Sequence, residues 1–408
     1  MKMKILLLAA LAAALLAQPV LAEPKQGEAK AGAEAPETTL EGRAIYPAEL
    51  RGQGSLPAPD PFPDQPVGGY SALLDSGGTD TYLAMPDNGY GSKANSSDFI
   101  LRVDRVRVDY ETVKGGSGEV EVLDSVRLSD PDGKIPFPIV DENGSGQRLL
   151  TGSDFDPESM RVARDGTWWF GDEFGPFLLH TDDTGKVLQA PIPLPGVKAP
   201  EDPTRPDQPV NLRSSSGFEG MAISGDGKYL YPSLERSLNG EDIRKHYIYE
   251  FDLAAGEYTG ERWTYRADLP VPPEQEHVIG DMTALDGNRL LVIERDFLQG
   301  ERAQFEKIFV VDLRREDAEG FLVKREVVDL LSIRDPGLIS LPGRPGDYGL
   351  GDPFEFPYVT TESVLPLGGQ RLAIVNDNNF GGVGGRNPSL PDYTDFIVVR
   401  AEALRGGV

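Results

Sequence analysis

The 408-residue sequence has no cysteine and only three histidines. The first absence rules out disulfides, thiol catalysis and a lipobox. His180, His246 and His277 fall at spacings that suit no zinc site, which leaves oxygen as the ligand type for a metal. Positive charge is scarce too: 40 Lys and Arg against 66 Asp and Glu give a formal net charge of −26. Such a chain repels nucleic acid and anionic membrane, and would repel a phosphorylated substrate unless bound cations reverse the local sign. For most of these charges, solubility outside the cell is reason enough. Long apolar runs are missing after residue 16, so no later segment reads as a membrane helix. No G-x-S-x-G elbow occurs, no histidine is placed to activate Ser214, Ser215 or Ser216, and GGVGGR opens no helix pattern that would make it a phosphate cradle.

What is present starts with a targeting pattern. Lys2 and Lys4 precede an apolar stretch from Ile5 to Leu16, and Val20 and Ala22 supply small residues for cleavage. Residues 1–22 are therefore expected to be a signal peptide, and the mature protein periplasmic or secreted. Residues 23–41, beginning EPKQGEAKAGAEAPETTL, are small and charged and read as a flexible leader. Residues 42–408 remain for one large domain, and their 47 Gly and 34 Pro, counted over the whole chain, favour an all-β fold with many turns.

That domain repeats. First strands begin at GYSALL, ESMRVA, EGMAIS, DMTALD and ESVLPL; second strands are YLAMPDN, WWFGDE, YLYPSLE, RLLVIERD and RLAIVNDN. Third strands follow each, and fourth strands are visible in all units but the last. The pattern predicts a β-propeller of five to six four-stranded blades, with a β-sandwich as the competing architecture. GRAIYPAEL near residues 42–50 is placed to complete the last blade, so that an N-terminal strand closes the ring. A sixth blade has room in residues 188–216 or 332–357. These two segments and 381–393 are long for turns and read as binding loops or lids. Trp168, Trp169 and Phe170 read as blade core.

Aligned, the units collect acids. First strands start at Glu158, Glu219, Asp281 and Glu362, with Gly69 in the first unit; second strands end at Asp87-Asn88, Asp172-Glu173, Glu235, Glu294 with Asp296, and Asp377 among Asn376, Asn378 and Asn379. In an up-and-down blade these ends share one rim. Two unit charges about 4 Å apart repel by roughly 4 kcal/mol at an effective dielectric near 20. Either some acids hold their protons or a cation sits among them. Taken singly, each acid also reads as a turn cap. The oxygen-rich set favours Ca2+, or Mg2+, over zinc, with Glu158, Asp172, Glu219, Asp281, Glu294, Glu362, Asp377 and Asn378 as expected ligands. Glycosidase chemistry, which needs only two carboxylates, is also compatible.

The stretches DPESMRVARDGTWWFGDEFGPFLLHTDDTGKVL, GFEGMAISGDGKYLYPSLE, LLVIERD and IVNDNNF resemble the phytase-like domain family, labelled esterase-like activity of phytase, from about Gly68 to Arg400. The resemblance implies an exported bacterial propeller that hydrolyses phosphate esters or related small esters. On that reading Glu173 or Glu235 takes the proton from a cation-activated water, and Arg236 and Arg295 neutralise the phosphate or, equally, pair with local acids. Two other functions are compatible with the residues: a Ca2+-dependent lactonase or arylesterase, and a non-catalytic binding propeller stabilised by Ca2+.

Overall fold

The computed structural model describes residues 37–270 and 276–408; the expected signal peptide and the leader through residue 36 lie outside the described residues. Among these, helical structure is limited to two 3-10 turns, and the rest is strands and loops. The first strand, β1 (Thr38–Tyr46), begins inside the stretch read as leader, because Thr38 to Leu40 pair with the end of the chain.

Five sets of four antiparallel strands follow the repeat. The first blade is β2 (Tyr70–Gly78), β3 (Thr81–Pro86), β4 (Arg102–Asp109) and β5 (Glu119–Arg127). The second is β6 (Pro157–Val162), β7 (Trp168–Asp172), β8 (Phe177–Thr181) and β9 (Ile192–Pro193). The third is β10 (Phe218–Ile223), β11 (Tyr229–Leu234), β12 (Lys245–Asp252) and β13 (Glu257–Arg266). The fourth is β14 (Val278–Ala284), β15 (Arg289–Arg295), β16 (Glu306–Glu316) and β17 (Leu322–Asp329). The fifth takes β18 (Thr361–Gly368), β19 (Arg371–Asn376) and β20 (Thr394–Ala401), and is completed by β1 running antiparallel to β20. The innermost strands pack in the cycle β2, β6, β10, β14, β18 and back to β2, so the described residues form a closed five-bladed propeller. β1 and β5 pair in the ladder at Ile45 and Glu119.

Burial explains why the strands sit where they do. β6 is buried over its first five residues, as an inner strand covered on both faces must be. β4 buries Val103, Val106 and Val108 and exposes Arg105 and Arg107, the alternation of a strand nearer solvent. Gly166 (φ 87°) and Gly227 (φ 66°) make the left-handed turns between first and second strands of two blades. Trp168 and Phe170 fill the space between the first two blades, and Trp169 packs toward the third on the other face.

No sixth blade forms in 188–216 or 332–357. β9 is only two residues long, so Leu194, Val197, Ala199 and Leu212 cover the apolar surface beside it. Ile333, Ile339, Phe354, Phe356 and Tyr358 wedge into the core between the fourth and fifth blades. The first two long segments are thus anchored as packing rather than free to act as lids. The third is tied in through Arg386, a fully buried guanidinium. Arg386 Nη2 (3.2 Å) and Arg43 Nη2 (2.8 Å) both pair with Asp395 Oδ2, joining β1 to β20 at the ring's seam.

Candidate functional site

The acidic rim is built by a repeated irregularity. In every blade the pairing of first and second strands slips by one residue at the same place: Ser71, Glu158, Glu219, Gly280 and Glu362 are the residues skipped. A bulge leaves its residue out of the ladder and re-aims the side chain. Here the side chains converge from different blades. Ser71 donates to Glu362 Oε2 at 3.0 Å, and Arg295 Nη2 lies 3.3 Å from both Glu219 Oε1 and Glu362 Oε1.

A second ring follows from register. The residues paired just before each bulge are Pro86, Asp172, Leu234, Glu294 and Asn376. The next residue in each blade, Asp87, Glu173, Glu235, Arg295 and Asp377, belongs to the centre. In the fourth blade the bulge is a glycine and the second ring carries an arginine. A Cβ on Gly280 would lie 2.6 Å from the Thr361 carbonyl and 3.0 Å from Arg295 Nε, so the glycine makes room for the one base. Gly280→Ala is expected to cost about 1–3 kcal/mol, as overpacking does, and to show as a lower denaturant midpoint. A midpoint equal to that of the parent protein would show that the guanidinium does not need this space.

The structure brings Glu158, Glu173, Glu219, Glu235, Glu362, Asp377 and Arg295 together, and adds Asp87 and Asp156. One oxygen each from Asp87, Asp156 and Glu158 lie within 4.8 Å of one another, and so do oxygens of Glu158, Glu173 and Glu219. Glu158 Oε2 and Glu173 Oε1 are buried with no hydrogen-bond partner. Three residues past Glu158 on β6, Arg161 reaches to β14, where its Nη2 donates to the Met282 carbonyl at 2.7 Å. Ser215, at φ 42°, places its hydroxyl 3.4 Å from Asp156 Oδ2.

Burial is the main cause that pushes these acids up, and their mutual repulsion adds to it. Asp87 rises to about 6. Glu362 rises to about 7 through burial, even though Arg295 opposes the shift. Asp156, Glu158, Glu173, Glu219 and Asp377 all rise well above the usual carboxylate range, burial first and neighbouring acids next.

Four expected ligands stand elsewhere. Asp172 and Glu294 each directly precede a member of the second ring, and adjacent strand residues face opposite ways. Asp172 accepts the backbone N–H of Asp156 and of Gly175, both at 2.8 Å, so it orients the centre from behind. Glu294 faces His277 Nδ1 (3.2 Å), Tyr265 Oη (2.6 Å) and Lys324. Burial opposes its ionisation, but His277, Lys324 and Tyr265 outweigh that and hold it at about 2. Asp281 follows the bulge rather than forming it. It accepts the N–H of Val364 (2.9 Å) and lies 3.7 Å from Arg161. Asn378 is used in its own loop, donating to the Asp392 carbonyl and accepting from Phe380 N–H, both at 3.2 Å. Arg236 sits at the rim with Nε 2.8 Å from Glu235 Oε2 and its guanidinium 4.4 Å from the Phe297 ring centre. Asp156 was missed because it lies before the strand; an acid two residues ahead of Glu158 in DFDPESM was the available signal.

A cavity of about 810 Å3 opens at the opposite rim, lined by Tyr82, Tyr110, Val113 and Arg371 among others. None of the clustered acids lines it. Volume alone therefore does not select a site here, whereas partnerless buried oxygens that also belong to a carboxylate cluster do.

Relatives were found by sequence and by shape. An "Uncharacterized secreted protein" of Arthroderma benhamiae is 27% identical over 46% of this chain and 47% of its own, so the match spans about half of each protein. Among solved structures, the PQQ-bound aldose sugar dehydrogenase of Streptomyces coelicolor is similar at 12% identity and a TM-score of 0.35, covering 90% of this chain and 100% of that one. An exo-beta-1,3-galactanase of Phanerochaete chrysosporium is similar at 10% identity and a TM-score of 0.41, covering 82% and 60%. Likeness of that degree says nothing about chemistry. The acidic repeat lies inside the stretch that settles kinship: residues 65–380 match the phytase-like family, described as esterase-like activity of phytase, and the chain belongs to that family.

Proposed function

We propose that this protein is an exported, divalent-cation-dependent hydrolase of phosphate esters, with Ca2+ held at the acidic centre. One observation carries the reading: two sets of carboxylate oxygens share Glu158, and an oxygen of Glu158 and one of Glu173 are buried without partners. Such oxygens are costly unless something positive meets them. The donors are hard oxygens with no imidazole or thiolate among them, which suits Ca2+ or Mg2+. Asp87, Asp156, Glu158, Glu173 and Glu219 would hold the ion. When bound, it supplies positive charge for a phosphoryl oxygen and makes a bound water more acidic.

The chain's own groups do the rest. Arg161, buried beyond the acids along β6, is bonded to the Met282 carbonyl of β14, and the ester enters from the rim. Arg236, paired with Glu235 and Glu276 but with 24% of its side chain exposed, is a base a substrate can reach. Arg295 is enclosed by Glu219, Glu362 and, at 3.8 Å, Glu235, and serves to hold the acids together. Glu235, oriented by Arg236, accepts the proton of the attacking water. A periplasmic or secreted location is supported by the name of the Arthroderma relative. Among the described residues no helix is long and apolar enough to cross a membrane.

The enclosure of Arg295 favours a second reading, hydrolysis of a neutral ester or lactone, which needs no free base. A panel of a phosphomonoester, a lactone and an aryl ester, assayed with Ca2+ and with chelator, separates the two. The phosphomonoester should turn over, stop in chelator and recover with Ca2+. Glu235→Gln should lower kcat by about 100-fold or more, the scale of general-base loss. Undiminished turnover in chelator would end the cation's role, and turnover of the lactone alone would replace the substrate class. Silence across the panel, with stabilisation by Ca2+, would mark a binding propeller.

A further inference from the structure

We infer that the centre takes two divalent cations side by side, with Glu158 as the ligand they share. The inference rests on the cation-dependent reading above and extends it from a charge to a stoichiometry. Ca2+ holds oxygens at about 2.3–2.6 Å, so donors on opposite sides of one ion are about 5 Å apart at most. Each of the two oxygen sets, mutually within 4.8 Å, is therefore compact enough to touch one ion. Among the described residues the sets meet only at Glu158, so neither ion position serves all five acids.

The second observation is the pair of buried oxygens without a partner, Glu158 Oε2 and Glu173 Oε1. Their residues are more than nine-tenths buried, at 8% and 6% exposure. Glu173 belongs to one set and Glu158 to both, so the unmet oxygens fall on the shared ligand and on the set with Glu219, where Arg295 reaches Glu219 but neither Glu158 nor Glu173. In the other set, Asp87 and Asp156 are already aimed by backbone donors, Gly89 N–H to Asp87 Oδ1 at 2.8 Å and Asn88 N–H to Asp156 Oδ1 at 3.3 Å. Charge points the same way. Around these five acids stand Glu235, Glu362 and Asp377, all buried, with Arg295 as the enclosed cation. One divalent ion would leave most of that repulsion in place; two placed on either side of Glu158 reach acids from three blades.

Calorimetric titration of the chelated full chain with CaCl2, checked by metal analysis after gel filtration, tests this. The parent protein should bind two Ca2+ per chain. Asp87→Asn and Glu219→Gln should each bind one, and Glu158→Gln should weaken both events at least tenfold. One Ca2+ per chain in the parent would overturn the pair, as would loss of the same single event in both variants. The parent's count needs no variant to fold, so a poorly folding mutant leaves the test intact. Two ions without turnover on any ester would end the hydrolase reading and leave the pair standing. One ion with full phosphomonoester turnover would do the reverse.

Discussion

Asp395→Asn is expected to destabilise the propeller by about 3–5 kcal/mol, read as a lower denaturant midpoint. Asp395 on β20 is fully buried and accepts from Arg43 Nε (2.9 Å) and Nη2 (2.8 Å), from Arg386 Nη2 (3.2 Å) and from Tyr358 Oη (3.2 Å). Asparagine keeps the shape but removes the one charge that two buried guanidiniums share. Removing one member of a buried ion cluster leaves the others uncompensated, which is why the cost exceeds that of a surface pair. The position matters as much as the charge. Arg43 lies on β1, so the cluster fastens the N-terminal strand into the last blade, and Arg386 also binds the carbonyls of Tyr348 and Glu355 in the wedge loop. With no cysteine in the chain, this seam is closed by packing and polar contacts alone. Asp124→Asn is the matched control, since Asp124 pairs with Arg105 at the exposed surface. Its expected cost is below about 1 kcal/mol. Equal losses in the two variants would dispose of the seam argument.

In chelator, the melting temperature should fall as pH rises from 6 to 8; with saturating Ca2+ the fall should vanish or reverse. Asp87 is raised to about 6 and Glu362 to about 7, and Asp156, Glu158, Glu173, Glu219 and Asp377 are displaced in the same direction. A carboxyl with a raised value holds its proton in the fold after the unfolded chain has released it. The native state then binds more protons, so stability declines with pH. The contribution is complete below about 4, the ordinary carboxylate value, and is lost through the window set by 6 and 7. Cations bind the ionised form, so their affinity grows over the same window. At a hundred times its dissociation constant, each bound ion adds about 2.7 kcal/mol. A melting temperature indifferent to both pH and Ca2+ between pH 6 and 8 would contradict the electrostatic account of the centre.

Much of this architecture was legible beforehand, for a local reason. Strand periodicity and glycine turns are properties of short windows, so five units and a closing N-terminal strand could be counted from the residues alone. The room for a sixth blade is not used, because 188–216 and 332–357 are apolar enough to pack but build no sheet of their own: the first supplies only the two-residue edge strand β9, the second only isolated bridges. Length alone does not tell a wedge from a binding loop or lid; Phe354, Phe356 and Leu212 make these segments wedges.

The site was legible in kind and blurred in detail. That acids gather at one rim followed from the repeat, and Glu158, Glu173, Glu219, Glu235, Glu362 and Asp377 do meet there. Asp172, Asp281 and Glu294 differ from them by a single step along the strand. One residue reverses the face of a β-strand, and a bulge moves that reversal without leaving any mark in composition. Charge, repeat and ring closure were thus determined by the chain's own residues. Which carboxylates face the axis, and that Arg295 stands among them over Gly280, was decided only when five bulges came into register in three dimensions.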